Sequence, residues 1–254
     1  MGMTIAMAGK GGTGKTTVAG LAVKFLVQRG LGPVLAVDAD ANANLNEVLG
    51  VEVCGTLGEA REEMKKGGAP GMTKDVFIDM KVNQALVEAS GYDLIVMGRP
   101  EGPGCYCAAN HLLTNVVDNL TNNYKALVID NEAGMEHLSR LITKHIDILY
   151  VVSDPSRRGL TAARRIWDLV DELRIQVKKK YLILNQLQGE LSQDLKAFIE
   201  AEGLDLAGVV QSDQEIYALD QAGRPTSELG PENPAVAALF AIFERTIDGA
   251  GTGR

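Results

Sequence analysis

Nine consecutive residues near the start of the chain could do phosphate chemistry: Gly9-Lys10-Gly11-Gly12-Thr13-Gly14-Lys15-Thr16-Thr17. They contain G-x-x-x-x-G-K-[ST] in full, after a short apolar run and before a helical pattern, the context in which such a loop cradles phosphates. Backbone N–H groups of Gly12 to Thr16 point into a concavity, the following helix adds its positive end, and Lys15 neutralises the β and γ oxygens. The Thr16 hydroxyl is placed for Mg²⁺. Lys10 reaches its own phosphates less naturally than Lys15. It is either an ordinary surface lysine or a group whose stem points outward to a phosphate held by another subunit.

Three carboxylates, Asp38, Asp40 and Asp130, fall at the ends of apolar runs. Two of them beside a phosphate loop could hold the water shell of Mg²⁺ and position an attacking water. Asp130 follows Ala126-Leu127-Val128-Ile129, the place expected of a carboxylate in the metal's outer shell. Asn185, also at a strand end, has the donor and acceptor to read an adenine edge; capping a turn is the other reading. Cys105 and Cys107 flank Tyr106. In an extended segment both thiolates would face the same way and could touch one ion. They supply only half of a tetrahedral soft-metal site. Nearby His111 is one further ligand candidate, and two cysteines from each of two subunits is another solution. The plainer reading is a pair of small buried residues. Cys54 has no partner in sequence and reads as packing.

The elements that must position these groups alternate. Strands are expected at Thr4–Ala8, Pro33–Val37, Tyr92–Met97, Lys125–Ile129, Ile146–Val152, Tyr181–Leu184 and Leu206–Val210. Helices are expected from the phosphate loop to a stop near Arg29-Gly30, then at Leu45–Leu49, Glu59–Lys66, Asp75–Ala89, Asn110–Leu120, Leu160–Leu173, Leu191–Ile199, Ile216–Leu219 and Ala235–Ile247. The tail from Gly249 to Arg254 is expected to fray. This rhythm specifies one α/β domain over residues 1–254: a mostly parallel sheet of about seven strands with helices on both faces.

The chain has 254 residues, 46% of them apolar, with Lys+Arg 25 against Asp+Glu 33 and a net charge of −8. That argues against a disordered chain and against a nucleic-acid binder working through a strong positive field. No apolar run approaches the length of a membrane span. The opening residues lack a charged region and a cleavage site, so a cytoplasmic location is expected. Three cysteines cannot make a disulfide framework.

The segment Lys10 to Thr17 resembles the deviant phosphate loop of the P-loop NTPase family that includes nitrogenase iron protein, bacterial division-site ATPases and the arsenite and tail-anchored-protein ATPases. The resemblance implies ATP hydrolysis to ADP and phosphate with Mg²⁺, by a homodimer in which Lys10 crosses to the partner's nucleotide. It implies that Asp40 orients the hydrolytic water, that Asp38 and Asp130 support the metal, and that Asn131 to Gly134 form a second switch. It further implies that Gly11, Gly12, Thr13, Gly14, Lys15, Thr16 and Thr17 hold the phosphates, and that Asn185 contacts adenine. Loops around Asp154-Pro155 and Val210 to Asp213 would close over the base. Within this family the opening Met3 to Lys10, the segment Gly104-Cys105-Tyr106-Cys107 and the run Glu132 to Leu138 are similar to the CooC-type accessory ATPases. These mature nickel-containing carbon monoxide dehydrogenase, with a related member linked to acetyl-CoA synthase. That likeness implies one nickel or zinc ion bound between subunits by Cys105 and Cys107, delivered to an apo-enzyme on hydrolysis. Two other functions fit the same residues: a nucleotide-gated protein-binding switch with structural cysteines, and an ATP-dependent iron–sulfur reductase. No cysteine follows Asp130, which departs from the cluster pattern of nitrogenase iron protein. The end of the chain is not the basic amphipathic helix of division-site ATPases, so a membrane is not an expected partner, and the net charge of −8 argues the same for nucleic acid.

Overall fold

Seven strands run parallel through the centre of the molecule: β1 (Met3–Gly9), β2 (Val34–Ala39), β4 (Tyr92–Val96), β5 (Ala126–Asn131), β6 (His145–Ser153), β7 (Gln176–Leu187) and β8 (Leu206–Gln211). Several are apolar at almost every position, as strands covered on both faces must be. The structure, a computed structural model, describes residues 2–67, 71–99, 105–134 and 145–251. An eighth strand, β3 (Val87–Ala89), pairs antiparallel with β4 and completes the order β3-β4-β2-β5-β1-β6-β7-β8. Sequence periodicity extends a helix through these three residues; the helix stops at Ala85, and the segment turns back to cover the edge of β4.

The nine helices described are α1 (Lys15–Gln28), α2 (Leu45–Leu49), α3 (Leu57–Lys65), α4 (Lys74–Ala85), α5 (Cys105–Leu120), α6 (Arg157–Glu172), α7 (Gln193–Ala201), α8 (Gln214–Gln221) and α9 (Pro234–Gly251). Strand alternation divides the core into two layers. Ile5 and Met7 of β1 face α1 and α9, while Ala6 and Ala8 face α5 and α6. Helix α1 is buried almost all round, because it lies between the sheet and α9, where Phe25 meets the rings of Phe240 and Phe243. It ends as its Arg29-Gly30 signal requires: Gly30 donates to the Val27 carbonyl and Leu31 to that of Leu26. The last helix continues through Gly251, two residues past the start of the expected frayed tail; residues 252–254 lie outside the described residues. Among the described residues no helix is long and apolar enough to cross a membrane.

All seven parallel strands end at the same edge of the sheet. Ligands of open α/β sheets bind along that edge, and the phosphate loop, Asp38, Asp130 and Asn185 are all found there.

Candidate functional site

β1 delivers the chain into the loop, and α1 carries it away. Gly14 caps α1 in the left-handed region, φ 85°, and its carbonyl accepts the first helical bond from Val18 at 3.0 Å. The N–H groups of Lys15, Thr16 and Thr17 therefore have no acceptor within the helix and are available to an anion. A side chain at Gly14 would be strained by that φ, and its Cβ would lie 2.4 Å from Asn185 Nδ2. Inside the loop the Thr13 hydroxyl donates to the Lys10 carbonyl at 2.9 Å, and Lys15 Nζ donates to the same oxygen at 3.3 Å. Lys15 is 7% exposed. Burial lowers its pKa, against the attraction of Asp130 and Asp40. Lys10 lies on the lip of the loop and is exposed.

Asp38 and Asp130 are cross-strand neighbours on β2 and β5, and Asp130 also pairs with Met7 of β1. Each follows by two residues a side chain buried on the α1 face, Ala36 and Val128, so both carboxylates project toward that helix. Asp38 is fully buried and accepts N–H bonds from Asp40 (3.0 Å) and Leu45 (2.9 Å). Desolvation nevertheless pushes its carboxyl up to about 6. Asp130 is pushed up to about 7, again chiefly by desolvation, despite a hydrogen bond with Thr16 and the nearby charge of Lys15. Its Oδ1 is buried with no hydrogen-bond partner. An orphaned carboxylate oxygen beside the Thr16 hydroxyl, with a second buried carboxylate in register, is the donor set that a hard divalent cation such as Mg²⁺ requires. Asp40 is half-buried, and its Oδ1 accepts from the backbone (2.8 Å) and side-chain amide (3.0 Å) of Asn42.

Asn131 follows Asp130, and its side chain donates to the Met7 carbonyl at 2.8 Å, tying the end of β5 to β1. Gly134 N–H reaches the Gly9 carbonyl at 3.4 Å, which brings the expected second switch to the start of the phosphate loop. The rest of that run, Met135 to Leu138, lies outside the described residues, as do Pro100 to Gly104.

Asn185 is not at the end of its strand, which continues to Leu187. Its Nδ2 donates to the Thr13 carbonyl at 2.9 Å, which ties β7 to the phosphate loop. The adjacent Gln186 donates to the Gly12 carbonyl at 3.2 Å. Sequence reasoning passes over Gln186, because its partner is 174 residues away and only the local backbone aims it there.

The cysteine pair is placed differently from expectation. The backbone is helical from Cys105 onward, not extended. Residues two apart on a helix are about 200° apart around its axis, so the segment gives no common face to positions 105 and 107. Position 107 instead lies one turn before the exposed His111. The side chains of Cys105 and Cys107 are outside the described residues. Among the described residues no group of three or more His, Cys, Asp or Glu could hold a metal. Cys54 is exposed rather than packed. It borders a cavity of about 250 Å³ with Ala43, Asn46, Thr56 and Glu59.

A phosphate loop at the edge of a parallel sheet, with buried carboxylates on the strand beside it, β5, and on the next one, β2, defines a P-loop ATPase. The chain belongs to the family of the CobQ/CobB/MinD/ParA nucleotide binding domain, which matches residues 4–226. It is 42% identical over 251 residues to an uncharacterized ATP-binding protein of Methanocaldococcus jannaschii, covering 97% of this chain and 99% of the relative. It is 34% identical over 263 residues to the carbon monoxide dehydrogenase accessory protein CooC of Rhodospirillum rubrum, covering 96% and 97%. Among solved structures, the septum site-determining protein MinD of Pyrococcus horikoshii, complexed with Mg-ADP, superimposes with a TM-score of 0.74. The two are 24% identical, and the match covers 99% of this chain and 98% of that one.

Proposed function

We propose that this ATPase works as a homodimeric switch whose nucleotide state gates a surface for another protein. The observation that carries the proposal is the pair of lysines in one loop. Lys15 already lies inside the loop, while Lys10 stands exposed on its lip, which supports a role for it on a triphosphate held by a second copy. The loop N–H groups from Gly11 to Thr17 bind the phosphates, and Lys15 neutralises them. Thr16 would hold Mg²⁺, with Asp38 and Asp130 supporting it, and the ion would supply positive charge against the phosphate oxygens. Asp40 orients the attacking water, whose oxygen bonds to the γ-phosphorus as the bond to the ADP oxygen breaks, releasing ADP and phosphate. Asn185 contacts adenine with the amide proton and oxygen not used on Thr13. The Gly9–Gly134 contact would carry the change at the phosphate into the second switch.

A second reading adds a cargo, and the 34% identity to CooC favours it. In it the partner is apo carbon monoxide dehydrogenase or acetyl-CoA synthase, and Cys105 and Cys107 of two subunits hold one nickel or zinc ion released on hydrolysis. The helical start of α5 makes His111 a ligand to test beside them.

One experiment addresses both readings: anaerobic sedimentation with Ni²⁺ or Zn²⁺ present, in Mg-ADP and in a non-hydrolysable Mg-ATP analogue. The switch predicts dimer in the analogue and monomer, or a looser dimer, in Mg-ADP; one unchanged species in both would overturn it. Metal cargo predicts one ion per dimer, lost on Cys105→Ala plus Cys107→Ala. Dimerisation without retained metal leaves the protein-binding switch as the function.

A further inference from the structure

We infer that Asn185 and Gln186 together form a clip that sets the phosphate loop for its anion, with Gln186 a positioning residue for nucleotide binding. The inference rests on the nucleotide site described above. Consecutive residues of a regular strand point to opposite faces of the sheet. Here two consecutive side chains of β7 reach consecutive carbonyls of one loop: Asn185 to Thr13 at 2.9 Å and Gln186 to Gly12 at 3.2 Å. The backbone makes this possible. Gln186 adopts φ +59°, and the register of β7 against β8 shifts between Leu184 and Leu187. An irregularity of this kind re-aims a side chain at the cost of a ladder bond. A left-handed glutamine carries backbone strain that a glycine would avoid, so the side chain at this position has something to contribute.

The contribution follows from peptide geometry. In a trans peptide the carbonyl and the next N–H point in opposite directions. Holding the Gly12 and Thr13 carbonyls toward β7 therefore turns the N–H groups of Thr13 and Gly14 away from β7, as a phosphate cradle requires. It also keeps two carbonyl oxygens from facing an anion. Gly12 and Gly14, with φ +79° and +85°, are the residues free to rotate the wrong way if released. The close approach of Asn185 Nδ2 to Gly14 leaves room only for glycine there. The clip thus fixes in advance the two peptide planes most able to flip.

The test is Gln186→Gly, which removes the donor while suiting the backbone, so the variant should melt no lower than the parent. Its Kd for Mg-ATP should rise about three- to tenfold, the worth of one neutral hydrogen bond, with the loss on KM rather than kcat. Gln186→Glu, of the same shape but unable to donate when ionised, should lose more. Inorganic tripolyphosphate, competed against a fluorescent nucleotide, should weaken by the same factor as Mg-ATP. An unchanged Kd would overturn the clip, and so would weakening confined to Mg-ATP, which would move Gln186's action to the base. A lower melting point in Gln186→Gly would also overturn it, by showing that the residue holds the strand. Failure of the parent chain itself to bind Mg-ATP would strike the nucleotide site and not the clip.

Discussion

Asp130 is a carboxylate kept at a cost. One oxygen is buried without a partner, the ordinary pKa of 3.8 is raised to about 7, and Asp38 beside it is raised to about 6. A carboxyl whose folded value is raised holds its proton more tightly in the folded than in the unfolded chain. Its contribution to stability therefore falls as pH rises from 3.8 through about 7, and below 3.8 it costs nothing. Asp130→Asn removes the charge and keeps the shape. We expect it to stabilise the nucleotide-free chain by on the order of 2 kcal/mol at pH 8, with the gain gone by about pH 4, while hydrolysis is lost. Urea unfolding at the two pH values measures the first and phosphate release the second. A gain that did not change with pH would mean that the cost is steric and not electrostatic. Stability given up at a functional carboxylate is the usual trade of an active site.

At the scale of elements, the edge of the sheet is held together by caps as well as strands. Asn233 is buried; its Oδ1 accepts the N–H groups of Ala235 (3.0 Å) and Val236 (3.1 Å) at the start of α9. Its amide donates to Asp213 and Glu215, both at 3.1 Å, and Asp213 is itself the N-cap of α8. One side chain thus joins two helix starts just beyond β8, so Asn233→Ala should cost about 2 kcal/mol in chemical denaturation. A loss below about 0.5 kcal/mol would show that water takes over its bonds. Elements with strong local signals were legible from sequence: the end of α1 at Arg29-Gly30, the bounds of α2, and the buried runs that bring Asp38 and Asp130 to one edge. The signals that failed were long-range. β3 exists because β4 has an edge to cover, the N-terminal turn of α5 lies upstream of its leucine and valine spacing, and Gln186 is aimed by an irregularity that no local pattern encodes. For the same reason the phosphate loop could be read residue by residue, while the clip that holds it could not.

At the scale of the whole molecule, the proposal is that each nucleotide is served by two chains, Asp40 from its own and Lys10 from the other. Two-fold symmetry turns this into a mixing experiment. Lys10→Ala alone removes the crossing lysine from both sites, and Asp40→Asn alone removes the water-orienting carboxylate from both, so each variant by itself should be inactive. In a mixed dimer the subunit with Lys10→Ala keeps its own Asp40 and receives Lys10 from its partner, so one of its two sites is complete. Random pairing of equal amounts makes half of the dimers mixed, so activity should return to about a quarter of the parent rate per chain. If Lys10 serves its own nucleotide, every site in the mixture carries one defect or the other, and no activity returns. Phosphate release measured at a total concentration where the parent is fully dimeric separates the two outcomes. It does so without reference to cargo or client.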